Sequence, residues 1–429
     1  MKPHITPRTH HTISRNLISP EALKVLYRIK ENGYLAFLCG GCVRDILLGR
    51  EPKDFDLATD ARPEDLRKIF RNCRLVGRRF RLAHILFGQD NYIEVATFRA
   101  LSDGNEPEVA AATRRLKVDS ARTADGLIVR DNVFGSPEED ALRRDFTVNA
   151  LFYNIADYSL IDYVNGLSDI EGRLLRSIGD PRRRYVEDPV RMLRAIRFSA
   201  ALGLNMETET YAAISDCRDN LALAAPARLF EEVLKLFSCG DAARVYQLLK
   251  ETGLLGVLFP DLAEWVAAHP GEGDAMTAAG FAYLDTCRRD GRSLNTATQF
   301  AIVFGAFHED LAAALLAAGD HTETGACMDA VERHFAGLRT RIMTPRSVSM
   351  DVAHIMALQP RFADRRPGNV NRLIRRPSFE DALEYYAFKS HYTRANHEDL
   401  IWWSTADIPE PPPVHHRHSS RSPRPHHDP

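Results

Sequence analysis

Apolar residues recur along this chain in two rhythms. Up to about residue 165, short apolar runs alternate with helical patterns. Ser19-Pro20 opens a helix running through Ile29, with apolar positions at Leu23, Leu26 and Ile29. Leu35 to Leu38 form a strand-like run that meets Gly40-Gly41, after which Val43, Ile46 and Leu47 take up helical spacing. Arg62-Pro63-Glu64 starts another helix, ending near Arg71. The stretches 85–87 and 92–98 are rich in β-branched and aromatic residues and flank Gly88 and a polar turn, which predicts a hairpin. Strands mixed with helices, without strict βαβ alternation, predict a compact α+β domain. Beyond about residue 203 the blocks ARLFEEVLKLF and VYQLLKETGLLGVLFPDL, and the Ala-rich run from Thr298 to Ala318, show i, i+3, i+4 apolar spacing, so the remainder is predicted helical.

Three segments stand outside these rhythms. Residues 1–18 read as a polar arm, and residues 101–126, polar and Ala-rich with Arg114-Arg115, as a mobile loop. From Pro409 the Pro/His/Arg-rich tail reads as disordered.

Composition changes this picture little. At 429 residues the chain can hold two or three domains. A formal net charge of −2 does not announce a nucleic-acid binder, but Arg62, Arg67, Lys68, Arg71, Arg74, Arg78, Arg79 and Arg81 crowd one short segment. Seven cysteines without a paired pattern fit a reducing compartment. Cys39 and Cys42 form a CxxC with no second CxxC or nearby His pair to complete a zinc site. No run is expected to span a membrane and the N-terminus lacks an apolar leader, so the expected location is the cytoplasm.

The candidate chemistry begins at Gly40-Gly41. The pair can adopt positive φ and bring backbone N–H groups, with the start of the following helix, close to a phosphate. Asp54-Phe55-Asp56 follows. Two apart on a strand, Asp54 and Asp56 are expected to share a face with Phe55 in the core behind them, and paired carboxylates call for a cation such as Mg²⁺. Glu94 is expected either to approach this pair or to bridge to an arginine. Arg143, Arg144 and Asp145 precede the apolar segment 146–152, which can carry them to the edge of the same sheet. Two guanidiniums suit a triphosphate, and Asp145 can orient a 3′-hydroxyl or steady the arginines. Further on, Asp188 can cap a helix on which Arg191, Arg194 and Arg197 recur every three residues. The segment from Arg361, with clustered arginines and Tyr385, Tyr386, Phe388 and Tyr392, suits single-stranded RNA or an aromatic core face equally.

The stretch LCGGCVRD with DFD, the block RRDFTVNA and the element EDPVR at Glu187 to Arg191 together resemble the DNA polymerase β-like nucleotidyltransferases, in the branch of CCA-adding enzymes and bacterial poly(A) polymerases. Cys42 stands where that family usually has Gly or Ala. LVGRRFRLAHILFG, ARLFEEVLKLF and RPSFEDALEYY are similar to the poly(A) polymerase branch, from about Ile13 to Trp403. The resemblance implies a nucleotidyltransferase palm over 19–165, a helical neck reading the base and RNA over 166–260, a helical RNA-binding region over 261–405 and the tail over 406–429. It implies AMP transfer from ATP to RNA 3′ ends in bacterial mRNA processing and decay, by a monomer that can associate with RNA-decay machinery. Asp54 and Asp56 would hold Mg²⁺ and act with Asp145; Gly40, Gly41, Arg44, Arg143 and Arg144 would hold the triphosphate; Asp188 and Arg191 would read adenine. Two alternatives remain at this point: CCA addition to tRNA, and an inactive RNA-binding protein, the latter motivated by Cys42.

Overall fold

The computed structural model describes residues 2–77, 81–88, 91–100, 120–122, 128–131 and 133–405. Arg78 and Arg79, most of the 101–126 loop with Arg114 and Arg115, and the 406–429 tail lie outside the described residues.

The chain divides into two compact units, residues 1–293 with 337–344, and residues 294–336 with 345 onward. Neither expected boundary, near 165 or near 260, separates them, because the helices that follow the sheet continue one packed body.

In the first unit eight strands form a mixed sheet in the order β1-β10-β9-β2-β3-β6-β5-β4. They are β1 (His4–Thr6), β2 (Ala36–Cys39), β3 (Asp56–Thr59), β4 (Cys73–Val76), β5 (Leu82–Leu86), β6 (Tyr92–Thr97), β9 (Leu151–Asn154) and β10 (Leu160–Asp162); β7 (Ser120–Arg122) and β8 (Ile128–Asp131) pair with each other. All four residues of β2 are buried, as a continuous apolar run in a central strand requires, whereas Leu35, expected in that strand, lies outside it and is exposed. β5 and β6 form the expected hairpin, with Ile85 opposite Ile93.

The arm reading of residues 1–18 is corrected. β1 extends the sheet edge by pairing with β10, His4 opposite Asp162, and Ile13 and Ile18 are buried. A three-residue strand is too short to leave a period in the sequence. Likewise the end of the 101–126 stretch contributes β7.

Helices flank the sheet: α1 (Pro20–Glu31), capped by the Ser19 hydroxyl accepting from the Ala22 N–H at 3.1 Å; α2 (Gly41–Leu47); α3 (Pro63–Ile69); and α4 (Pro137–Arg143), opened by a Ser136/Glu139 capping box. Then come α5 (Gly166–Glu171), α6 (Pro181–Glu187), α7 (Val190–Leu202), α8 (Thr208–Cys217), α9 (Pro226–Phe237), α10 (Ala242–Glu251), α11 (Leu254–Leu258), α12 (Pro260–Ala268) and α13 (Glu272–Arg289). On α7, Met192, Leu193 and Ile196 are fully buried, which turns the opposite flank outward.

The second unit is helical: α14 (Thr296–Ala317), α15 (Glu323–Leu338), α16 (Arg346–Leu358), α17 (Pro367–Leu373), α18 (Phe379–Thr393) and α19 (His397–Thr405). α14 packs against α16 and α18 at Gly305, where a Cβ would fall 2.3 Å from the Tyr385 ring. By length and composition α14 could cross a membrane, contrary to the expectation that no run could; half of its apolar window is buried inside the protein, the mark of a core helix. Tyr385, Tyr386 and Phe388 are buried, and Tyr386 packs with Phe362 beside Trp403. Of the two readings of this segment, the aromatic core face holds for Tyr385, Tyr386 and Phe388, and of the four named only Tyr392 is exposed.

Candidate active site

The site is set by strand register. β2 runs antiparallel to β3 with Cys39 opposite Asp56, and β3 runs parallel to β6 with Asp56 opposite Glu94. Paired positions on neighbouring strands share a face, so Asp56 and Glu94 stand side by side at one end of the sheet. Ile93 and Val95 are buried on the other face, as the alternation predicts. Among the described residues no ion pair of Glu94 with an arginine is seen; His84 Nε2 donates to its Oε2 at 3.3 Å, and the His84 ring stacks on Tyr92. Asp54 is placed differently from expectation. It occupies a bend two residues before β3 rather than the strand itself, and Phe55 is half-buried rather than core. Asp54 and Asp56 both line the same cavity, of about 690 Å³.

Asp56, at the head of β3, is solvent-exposed at the cavity. Burial first, and then the Glu94 carboxylate, push its carboxyl up to about 6, against the pull of Arg144; Asp54 adds to the rise. Burial disfavours the charged form of a carboxyl, and neighbouring carboxylates add to that effect. Among the described residues no three His, Cys, Asp or Glu side chains are placed so that they could hold a metal ion together. An open rim of carboxylates instead fits a hard cation that completes its shell with water and substrate phosphate oxygens.

Next to Asp56, directly after its strand partner Cys39, lies the glycine bend. Gly40 has φ +72°, and a Cβ there would sit 2.9 Å from Arg144 Nη1, so both backbone and space demand glycine. The bend opens α2, whose first-turn N–H groups have no helical acceptors. Cys42 Sγ donates to the Cys39 carbonyl at 3.1 Å, so the thiol ties the end of β2 to the helix.

Two of the arginines expected to bind triphosphate are committed to the protein. Arg44, itself buried, donates to Asp45 at 2.8 Å and Asn149 at 2.6 Å and lies over the Phe198 ring. Arg144 donates to Asp140 at 2.9 Å, to the Asn149 carbonyl at 3.1 Å and to Cys39 Sγ at 3.4 Å. Both line the cavity, but as struts that brace the bend. Arg143 also lines it, while its carbonyl accepts from Arg184 at 2.5 Å and Arg191 at 3.2 Å.

Asp145 is drawn into the same scaffold. Arg194 donates to its Oδ2 at 2.8 and 2.6 Å, and the Phe146 N–H and Asn149 Nδ2 donate to Oδ1 at 2.8 and 3.1 Å. Burial opposes its ionisation, but Arg194 and the Asn149 hydrogen bond outweigh that and hold its carboxyl well below the usual range. Of its two expected roles the geometry favours steadying an arginine, and the arginine is Arg194. The apolar segment after it enters the sheet as β9, between β10 and β2 rather than at an edge.

The far wall belongs to α7 and α9. Arg191, Arg194 and Arg197 all face the cavity, as their three-residue spacing predicts, and Arg44, Arg194 and Arg197 surround the Phe198 ring at 5.0, 5.2 and 4.3 Å. Asp188 does not cap α7 with its side chain. Its carboxylate instead takes Arg228 Nη1 and Nη2 at 2.9 Å each. Arg228, Lys235, Lys53 and Asn149 line the cavity and were not anticipated. Arg228 and Lys235 had a legible signal, since seven residues on a helix is two turns, on the face opposite the apolar stripe of ARLFEEVLKLF.

Carboxylates on a mixed sheet, beside a glycine bend at a cavity rich in arginine, define a nucleotidyltransferase. Profiles described as the poly A polymerase head domain, the probable RNA and SrmB-binding site of polymerase A and the polymerase A arginine-rich C-terminus match residues 36–176, 203–266 and 319–425. The chain belongs to the poly(A) polymerase family. It is 40% identical over 419 residues to poly(A) polymerase I of Escherichia coli O157:H7, covering 96% of this chain and 88% of that one. It is 34% identical over 236 residues to the CCA-adding enzyme of Lactobacillus gasseri, covering 54% of each. The crystal structure of the Bacillus stearothermophilus CCA-adding enzyme in complex with CTP superposes with a TM-score of 0.62 at 27% identity, covering 90% of this chain and 83% of that one.

Proposed function

We propose that this protein extends RNA 3′ ends by transferring AMP from ATP without a template. The RNA 3′-oxygen forms a bond to the α-phosphorus as the bond between the α- and β-phosphates breaks, and pyrophosphate and the hydroxyl proton leave. The observation that carries this reading is the register that sets Asp56 beside Glu94, with Asp54 at the same rim, next to the Gly40 bend. Whole-length likeness to poly(A) polymerase I supports adenylation over CCA addition.

In this reading Asp54 and Asp56 hold divalent metal, Mg²⁺ being the best fit to oxygen ligands shared with phosphate, and Glu94 stands beside Asp56. When bound, the metal would make the 3′-hydroxyl easier to deprotonate and offset charge on the departing pyrophosphate. The bend at Gly40 and Gly41, with Arg143 and Lys53, holds the triphosphate, while Arg44 and Arg144 keep the bend in shape. Asp145 positions Arg194 against the same nucleotide. Asp188 accepts from the amino group of adenine and Arg191 donates to its ring nitrogen. Residues 19–165 would then perform the chemistry, 166–260 select the base and 261–405 hold RNA, in a cytoplasmic monomer able to join RNA-decay machinery.

Purified protein with a labelled RNA primer, Mg²⁺ and ATP or CTP tests this. A long ladder with ATP alone is the expected result. A stop after three additions to tRNA that depends on CTP would establish CCA addition instead, and RNA retention without extension would leave an inactive binder.

A further inference from the structure

We infer that the second unit carries a pocket for one unpaired nucleotide of the RNA strand, formed by α15, α16 and the turn that precedes α18. The inference rests on the reading of the protein as an RNA 3′-end polymerase.

The pocket encloses about 400 Å³, inside the range of roughly 300–1,000 Å³ over which small-ligand sites fall. One nucleotide fits such a space, whereas a helix or a base-paired duplex does not. Part of its lining is apolar: Leu358 of α16 is buried, Met328 of α15 is 40% exposed, and Pro377 stands in the turn. Groups of this kind cover the flat face of a base, and a thioether adds a favourable contact with an aromatic ring.

The polar part of the lining differs from the charged residues around it. Nearby arginines are spent on the protein, since Arg366 donates to the two Asp364 oxygens at 2.8 and 2.7 Å and Arg365 pairs with Asp399. Arg361 and Arg376 line the pocket, and among the described residues neither guanidinium has a hydrogen-bond or ion-pair partner. The same holds for the Asp351 carboxylate in that lining. Two unspent sets of donors and one unspent acceptor therefore meet at a partly apolar hollow. Asp351 and Arg376 are exposed, so a strand can enter and leave at the rim.

Such a set calls for a ligand that is anionic at one end and flat and apolar at the other. A phosphodiester accepts from both guanidiniums. Asp351 in the same lining disfavours a polyanion, whether a free triphosphate or a run of acidic side chains, so a single phosphate with its base is the better match. An ionised carboxylate only accepts hydrogen bonds, and Asp351 thus favours a base edge that carries an amino group. Adenine, cytosine and guanine carry one and uracil does not. An adenylate tail satisfies that preference at every position.

Titration of the full-length protein with labelled oligo(A) and oligo(U) tests the pocket. Arg361→Gln and Arg376→Gln are each expected to weaken oligo(A) binding about five-fold, and together to reduce the salt slope by about 0.7, the share of one phosphate on a single strand. Asp351→Ala is expected to weaken oligo(A) relative to oligo(U) about five-fold. Met328→Glu places a charge in the apolar lining from an exposed position and is expected to match the arginine variants, so poor folding of any one variant leaves the test intact. In all four, kcat at saturating RNA and ATP should stay native. Folded variants with native affinity and native base preference would overturn the pocket, and displacement of oligo(A) by free 5′-AMP near the Kd of the RNA would overturn the assignment to a strand. The reading beneath it fails separately: wild-type protein that binds oligo(A) through these residues without extending it keeps the pocket and loses the polymerase, whereas extension by ATP with native binding in every variant removes the pocket alone.

Discussion

Asp56 and Glu94 occupy paired positions on adjacent parallel strands, β3 and β6, thirty-eight residues apart in the chain and shoulder to shoulder in the sheet. Strand register therefore places Glu94 beside Asp56, while the Asp145 carboxylate is held by Arg194. Glu94→Gln is expected to lower kcat about 100-fold or more, in the range of removing a metal-holding or charge-stabilising group, with thermal unfolding unchanged. Asp54→Asn and Asp56→Asn should do the same. Native turnover in the Glu94 variant would return that residue to a purely structural role beside His84.

Asp145 should behave differently, because its four hydrogen bonds are all made within the protein. Asp145→Ala strands Arg194 and the Asn149 amide, with an expected loss of about 2–3 kcal/mol of stability, read by urea unfolding. Should activity vanish while the unfolding midpoint stays in place, a direct catalytic role would be the better account.

Gly40→Ala meets two obstacles at once, a positive φ and the nearby Arg144 guanidinium. The backbone alone costs on the order of 1–2 kcal/mol. Because the strain falls at the bend, KM for ATP should rise as well. The same change at Gly49, also at positive φ but with open space around it, should lower stability and leave KM for ATP native.

His308 and His334 lie in the second unit, buried among Phe304, Phe307 and Phe335, with Nε2 of one 2.8 Å from Nδ1 of the other. Burial pushes His334 down to about 4, and burial followed by the neighbouring His334 holds His308 well below its ordinary value. Since the folded form prefers neutral rings, their contribution is complete above the unfolded value near 6.5 and is lost as pH falls toward 4. Between pH 7 and 5 the second unit should lose about 2 kcal/mol from His334, with His308 adding in the same direction. Tryptophan fluorescence of Trp402 and Trp403 during urea unfolding at the two pH values reads this directly. Replacement of both histidines by phenylalanine should remove most of the pH dependence.

Local chemistry made much of the site legible in advance. A glycine pair before a helix, acids two apart and arginines three apart each imply a geometry within a few residues, and α2, the start of β3 and the half-buried arginine flank of α7 follow from it. Less local features were misread or stayed open for physical reasons. The three residues of β1 are too few to show a period. Tyr385, Tyr386 and Phe388 look the same in sequence whether a ring stacks on RNA or on Phe362. Arg44 and Arg144 look like ligands for phosphate until Asp45, Asp140 and Asn149 are seen to hold them.

By itself, then, the sequence determined the family, the two rhythms of the fold and the glycine bend with its acids, because each of these is written in neighbouring residues. Tertiary structure alone decided which groups share the cavity. Glu94 reaches Asp56 through strand register, Arg194 reaches Asp145 and Arg228 reaches Asp188 through helix packing, and no spacing along the chain encodes contacts that exist only once distant elements have closed on one another.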